Sequence, residues 1–224
     1  MSWLFRSLNS SVGKKVIMAV TGLSLISFLM VHLFGNLTLY IGREAFNAYV
    51  DTLDIIKPFI RVIEVVLAGV FILHILNGLR LWIENRKARP TRYAVSGTAK
   101  NTDFSSRTMF VTGSIIFIFL VLHLSTFWYT FNVTGHPETG SHDFYTILVY
   151  WFSNKLYAVA YILAMALLTF HLNHGFQSAF QTFGWNHKKY FSLIKTAGLV
   201  YALIMGIGFA SIPIYFSFIS GGNQ

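Results

Sequence analysis

VIMAVTGLSLISFLMVHLFGNLTLYI, residues 16–41, holds no Lys, Arg, Asp or Glu in 26 positions. A helix that crosses a bilayer needs about 20 mostly apolar residues, so this stretch is long enough to span. It exceeds the core of a secretory leader and no small-residue cleavage site follows it, so it reads as a retained helix. Working outward, residues 59–83, 108–131, 156–183 and 197–219 qualify by the same test. The rest of the composition agrees. Of 224 residues, 54% are hydrophobic and 11% charged, about half the charged share of a soluble domain. Aromatic residues make up 17%, which excludes a solvated coil. The expected fold is an all-α integral membrane protein, a single domain over residues 1–224. It has five transmembrane helices, the first four in an up-down-up-down bundle. A short tail and four loops leave no room for a soluble catalytic domain.

Orientation follows from the cations. Thirteen of the seventeen fall on one side: Arg6, Lys14 and Lys15; Arg80, Arg86, Lys87, Arg89, Arg92, Lys100 and Arg107; and Lys188, Lys189 and Lys195. Arg43, Lys57, Arg61 and Lys155 fall on the other. The N-terminus is therefore expected inside. The formal net charge of +9 belongs to this bias, and nucleic acid is not an expected partner. The absence of cysteine excludes disulfides, thiolate metal sites and covalent haem attachment. Gly206 and Gly208 sit inside an apolar span, where a G-x-G means close helix packing rather than a phosphate loop. Pro213 is expected to kink the same helix near its outer end.

Ionisable residues within spans are functional candidates by default. His32, His74, His123 and His171 occupy the first four spans, one apiece. His32 lies 17 residues beyond Lys15, and His123 lies 16 beyond Arg107, both on outward-running helices. His74 lies 16 beyond Pro58, and His171 lies 16 beyond Lys155, both on inward-running helices. Each is therefore about 24 Å from its helix entrance in a hydrocarbon core of about 30 Å. His32 and His123 share an outer level, and His74 and His171 an inner one. In such a bundle, spans one and three are diagonal, as are two and four. Diagonal axes are about 11–14 Å apart, which suits two imidazoles gripping one porphyrin iron. Two haems stacked along the bundle are expected. Gly78 and Gly175, at i+4 from His74 and His171, and Gly35, at i+3 from His32, are expected to let a flat macrocycle approach the backbone.

Single intramembrane histidines usually bond neighbouring helices, and a proton relay also uses them. A relay, however, calls for several mid-span carboxylates, and Glu64 is the only obvious one. His136 and His142 fall in an outer loop, His187 is expected to cap the fourth helix, and His174 remains the alternative fourth ligand.

The chain resembles the single-chain dihaem cytochrome b anchor of succinate:quinone oxidoreductases, the cytochrome b558 type. The matching segments are Ser10-Ser11-Val12-Gly13-Lys14-Lys15 with Thr21-Gly22, Val31-His32-Leu33-Phe34-Gly35-Asn36-Leu37, and Gly42-Arg43-Glu44-Ala45-Phe46-Asn47. His74 to Gly78, Ser106-Arg107-Thr108 and Phe170-His171 to Gly175 complete them. The resemblance runs through all five spans and puts the axial ligands on His32, His74, His123 and His171. It implies two haem b, a flavoprotein partner, an iron–sulfur partner and a multi-pass place in a bacterial cytoplasmic membrane. The basic loop 84–107 is the expected docking surface. The implied activity is that of a succinate dehydrogenase or fumarate reductase subunit. Electrons from the iron–sulfur subunit would pass through the His74/His171 haem and the His32/His123 haem to a membrane quinone, menaquinone by expectation. Asp54 and Glu64 are candidates for the quinone or proton site, although Glu64 also lies at i+3 from Arg61 for an ordinary ion pair. Arg80 or Lys188 are expected near the haem propionates. The competing readings are a proton-relay transporter and the cytochrome b subunit of a hydrogenase or formate dehydrogenase.

Overall fold

The computed structural model describes residues 3–88 and 104–220, with the backbone alone at Leu4 and 104–107. Every regular element among the described residues is helical: α1 (Trp3–Asn9), α2 (Ser11–Leu37), α3 (Arg43–Ile55), α4 (Lys57–Lys87), α5 (Phe104–His123), α6 (Phe144–Ser153), α7 (Lys155–Thr182) and α8 (Lys188–Ile214). A 3₁₀ turn, Thr38–Tyr40, extends α2. π-helical segments extend α5 (Leu124–Thr134) and α8 (Tyr215–Ile219). Five helices are long and apolar enough to cross a membrane: Ser11–Tyr40, Lys57–Lys87, Thr108–Thr134, Lys155–Thr182 and Lys188–Ile219.

Local chemistry sets the ends of these helices. At the start of α2, Ser10 Oγ accepts from the Gly13 N–H at 3.0 Å. Asn154 Oδ1 takes the Leu156 and Tyr157 N–H groups at 3.0 and 3.2 Å, which starts α7. Both satisfy amides that a helix N-terminus leaves orphaned. Pro58 stands at the second position of α4, where its missing N–H costs nothing. Pro213 lies inside α8, and the backbone widens into the π-helical segment two residues later.

Two expectations change here. The helix that carries the fifth span starts at Lys188, ahead of residue 197, and Lys189 and Lys195 lie over the rings of Tyr190 and Phe191 at 5.5 and 5.0 Å. Long cationic side chains placed in this way extend a helix past its apolar core. His187 caps α8 and not the fourth helix, its Nδ1 accepting from the Lys189 N–H at 3.3 Å.

The described chain falls into two compact units, and each span contributes to both. The first comprises Met1–Phe28, Val65–Gly113 and Phe170–Ala202. Within it Lys14, 7% exposed, pairs with Glu84. Arg80 Nε also donates to Glu84 at 3.0 Å, while Asn77 Nδ2 donates to the Lys14 carbonyl at 2.7 Å. A buried cation needs this kind of partnering.

The second unit comprises Leu29–Glu64, Ser114–Thr169 and Leu203–Gln224. Its core is aromatic, built on Phe46, Phe127, Tyr145, Phe152, Tyr161 and Phe216. Asp143 caps α6 by accepting from the Thr146 N–H at 3.0 Å, and it also pairs with Arg43 of α3 at 2.5 Å. Burial pushes the Asp143 pKa up, but the Thr146 N–H, the Arg43 guanidinium and the Asn47 side chain outweigh it and hold it below the ordinary carboxylate range. Gly208 packs against Leu33 so closely that a Cβ there would fall 2.8 Å from Leu33 Cδ2, and Gly206 packs against Thr169. The G-x-G is therefore a packing device, as its place in an apolar span implies.

Candidate functional site

The first unit holds two imidazoles. His74 and His171 face each other with ring centroids 6.5 Å apart and planes at 68°. The ring opposite His74 is that of His171. Each is oriented by a threonine. His74 Nδ1 lies 3.1 Å from Thr21 Oγ1, and His171 Nδ1 lies 3.3 Å from Thr112 Oγ1. A hydroxyl has one proton to give. Thr21 donates its proton to the Ile17 carbonyl at 2.7 Å, and Thr112 donates to the Thr108 or Met109 carbonyl, each at 3.2 Å. With those protons on the carbonyls, each threonine oxygen is an acceptor for the tautomer that carries its proton on Nδ1. Nε2 then holds the lone pair, as metal ligation demands.

Glycine follows each of these threonines. A Cβ on Gly22 would stand 3.5 Å from His74 Cε1, and one on Gly113 would stand 3.3 Å from His171 Cε1. The contact at Gly113 is tight, whereas the one at Gly22 is an ordinary van der Waals distance. A side chain on Gly35 would overlap Tyr49, and a Cβ on Gly78 would meet Met18 Cε at 3.2 Å. Gly175 faces open space. Helical spacing names a face but does not say what lies across from it: Tyr49 at Gly35 and Met18 at Gly78.

A sequence signal for the orienting residues does exist. Thr21-Gly22 precedes His32 by the same interval, 11 residues, by which Thr112-Gly113 precedes His123. Spans one and three thus repeat one pattern, a support for one histidine pair and a member of the other.

The second unit holds His32 and His123, with centroids 6.0 Å apart and planes at 88°. His123 Nδ1 lies 3.2 Å from the Tyr161 hydroxyl. Asn36 Nδ2 donates to the His32 carbonyl at 2.7 Å and stands 3.5 Å from His32 Nδ1. Phe209 packs on His32, while Phe119 and Phe127 pack on His123.

A metal tests these distances. An imidazole–metal bond is about 2.0–2.1 Å and the ring centre lies about 1.1 Å behind the nitrogen, so two opposed ligands have centroids about 6.3 Å apart. The observed 6.5 and 6.0 Å bracket that value. Both planes can contain the nitrogen–metal axis at any mutual twist, so 68° and 88° are both compatible. No group of three or more His, Asp or Glu with metal-binding geometry exists among the described residues. A bare ion would want about four protein ligands. Two imidazoles suit an ion that brings the rest of its ligands with it, and a haem iron does so.

The acidic candidates are paired. Asp54 accepts from Lys57 at 3.1 Å. Glu64 accepts from Arg61 at 2.6 Å and from the Trp128 indole at 3.2 Å. Arg61 also donates to Asn132 at 2.5 Å, tying α4 to the π-helical segment that follows His123. Asp54 lines a cavity of about 410 Å³ together with Asp51, Arg61, Asn132 and His142. Glu64 does not line it. His136 packs edge-on against Tyr150 at 4.8 Å and takes the Glu138 N–H, so it serves its own loop. Arg80 is engaged by Glu84 and by Asn9 at 2.8 Å. Of the basic loop, residues 89–103 lie outside the described residues.

Fold and site together define a multi-pass helical protein with membrane-length spans and two internally supported histidine pairs. Comparisons with protein-family models, characterised proteins and solved structures find no match.

Proposed function

We propose that this chain is the dihaem cytochrome b anchor of a succinate:quinone oxidoreductase, carrying electrons between an iron–sulfur subunit and a membrane quinone. The observation that carries the reading is the pair of neighbouring imidazoles in each unit, spaced for one metal, with the Thr21 and Thr112 hydroxyls beside the Nδ1 of His74 and of His171. Haem, gripped by such a pair, supplies one-electron transfer at a potential set by its ligands and surroundings.

The work of the chain is to hold and to insulate. Thr21 and Thr112 would orient His74 and His171 through Nδ1, in the tautomer that leaves Nε2 for a metal. Gly113 keeps the flanking backbone clear of the His171 ring. Aromatic packing on His32 and His123 excludes water there, which raises the energetic weight of every nearby hydrogen bond. The up-down-up-down bundle belongs to this proposal and puts the two pairs at different depths. Moving one charge across the membrane is worth about 2.3 kcal/mol per 100 mV, so such a placement couples quinone chemistry to the membrane potential. Asp51 and Asp54 line a cavity with Lys57 and Arg61, and this cavity is the candidate quinone site. The flavoprotein and iron–sulfur partners would dock on the cation-rich inner side, in a bacterial cytoplasmic membrane.

The mid-span carboxylate that a cofactor-free relay would use, Glu64, is committed to Arg61 and Trp128. The test is affinity isolation of the tagged full chain from its native membrane. Copurification of a flavoprotein and an iron–sulfur protein with succinate-dependent quinone reduction is expected. A chain isolated without either partner, or with a different redox activity, would overturn the assignment.

A further inference from the structure

The short helix α1 is tied to the first unit by its polar residues. Ser10 closes a corner between α1 and α2: its Oγ donates to the Ser7 carbonyl at 2.6 Å and accepts from the Gly13 N–H at 3.0 Å. A Cβ on Gly13 would overlap the Ser7 carbonyl oxygen and stand 2.8 Å from Leu8 Cα, so the corner closes around glycine. From α4, Arg80 Nη1 donates to Asn9 Oδ1 at 2.8 Å while its Nε donates to Glu84. The apolar residues of α1 remain outside. Trp3, Phe5 and Leu8 are 77%, 51% and 44% exposed. A helix in water turns its apolar face toward the protein, so this arrangement calls for an apolar medium around α1.

We propose that α1 is an interfacial foot lying on anionic lipid at the cation-rich end of the first span. Trp3, Phe5 and Leu8 enter the acyl boundary, and Arg6 and Lys15 meet the phosphates. Continuity supports lipid as the occupant. Val12, in the first turn of α2, is exposed too, so the apolar surface of α1 runs onto a helix of membrane length. Charge supports it as well. Arg6 and Lys15 are exposed, no carboxylate pairs with either among the described residues, and the first acidic residue of the chain is Glu44. A tryptophan and cations beside apolar side chains match the layered chemistry of a headgroup region. A protein partner is the competing occupant, but seven residues supply far less than the roughly 800 Å² that a stable interface takes from each side. The proposal is independent of haem, so a chain without haem would leave it standing.

The experiment reconstitutes the full chain, with the partners it brings from the membrane, into vesicles of phosphatidylcholine alone or mixed with phosphatidylglycerol. The chain has no cysteine, so spin labels are placed singly at Phe5→Cys and Leu8→Cys, and the signal of equally treated unmutated protein is subtracted. Power saturation compares collisions with oxygen, which partitions into lipid, and with a nickel chelate, which stays in water. Exposed Asp51→Cys gives the aqueous reference, and Ile72→Cys, mid-span and 57% exposed, the bilayer reference. At both α1 positions oxygen collisions exceed chelate collisions, at a depth of about 5–10 Å into the headgroup and acyl boundary. The labels lie deeper when phosphatidylglycerol is present, and Arg6→Glu removes that increase. If one variant does not assemble, the other decides. Chelate collisions at the aqueous level overturn the proposal. So does protection from both reagents, which means that a protein covers α1. Equal depth in the two lipid mixtures overturns the part given to anionic headgroups.

Discussion

At the scale of single residues, the paired histidines and the groups beside them have separate proposed tasks. His123→Tyr should remove the haem at the His32/His123 pair and leave the other, read as half the absorbance per chain; loss of neither would refute the pairing. Thr21→Val keeps the shape of the side chain and deletes the acceptor for His74. Loss of an orienting partner weakens metal binding about 10–100-fold, so haem at the His74/His171 pair should exchange to an added apo-acceptor that much faster. An unchanged exchange rate in T21V would mean that Thr21 merely packs. The histidines were legible in the sequence because their depth follows from helix rise and from the nearest charge or proline. Thr21, Thr112 and Tyr161 were not, because a hydroxyl inside a span is as often bonded to its own helix. The recurring Thr-Gly, 11 residues before His32 and before His123, is the one trace they leave.

Among the elements, the five spans are readable from composition, whereas α3 and α6 are hidden. Arg43–Ile55 mixes charge with apolar residues, and Phe144–Ser153 is too short to cross a bilayer, so both read as loop. What joins them is the Arg43–Asp143 pair together with the Asp143 cap. The folded pKa of Asp143 is lowered, so its contribution is present above the unfolded value of about 3.9 and is lost as pH falls through the folded one. Amides of α6 should therefore exchange faster below about pH 4. Asp143→Ala should speed them at neutral pH by the equivalent of about 1 kcal/mol, the usual worth of such a cap. Equal exchange in wild type and variant would deny Asp143 this role. Gly206 and Gly208 belong to the same scale. Gly208→Leu would drive a side chain into Leu33, so the variant should lose haem at a lower temperature than wild type, and equal thermal stability would contradict the packing described.

For the whole molecule, the distribution of cations predicts sidedness, and the absence of cysteine makes it easy to measure. A single Asp51→Cys should react with a membrane-impermeant thiol reagent added outside intact cells, and Lys189→Cys only after the membrane is opened. The reverse pattern would invert the chain. The central claim, however, is that this molecule holds two metals between two histidine pairs. It is tested most directly by quantifying haem and protein in the purified full chain and recording its reduced spectrum. Two haems per chain, both low-spin and b-type, are the predicted result. A folded chain that carries no haem would contradict it.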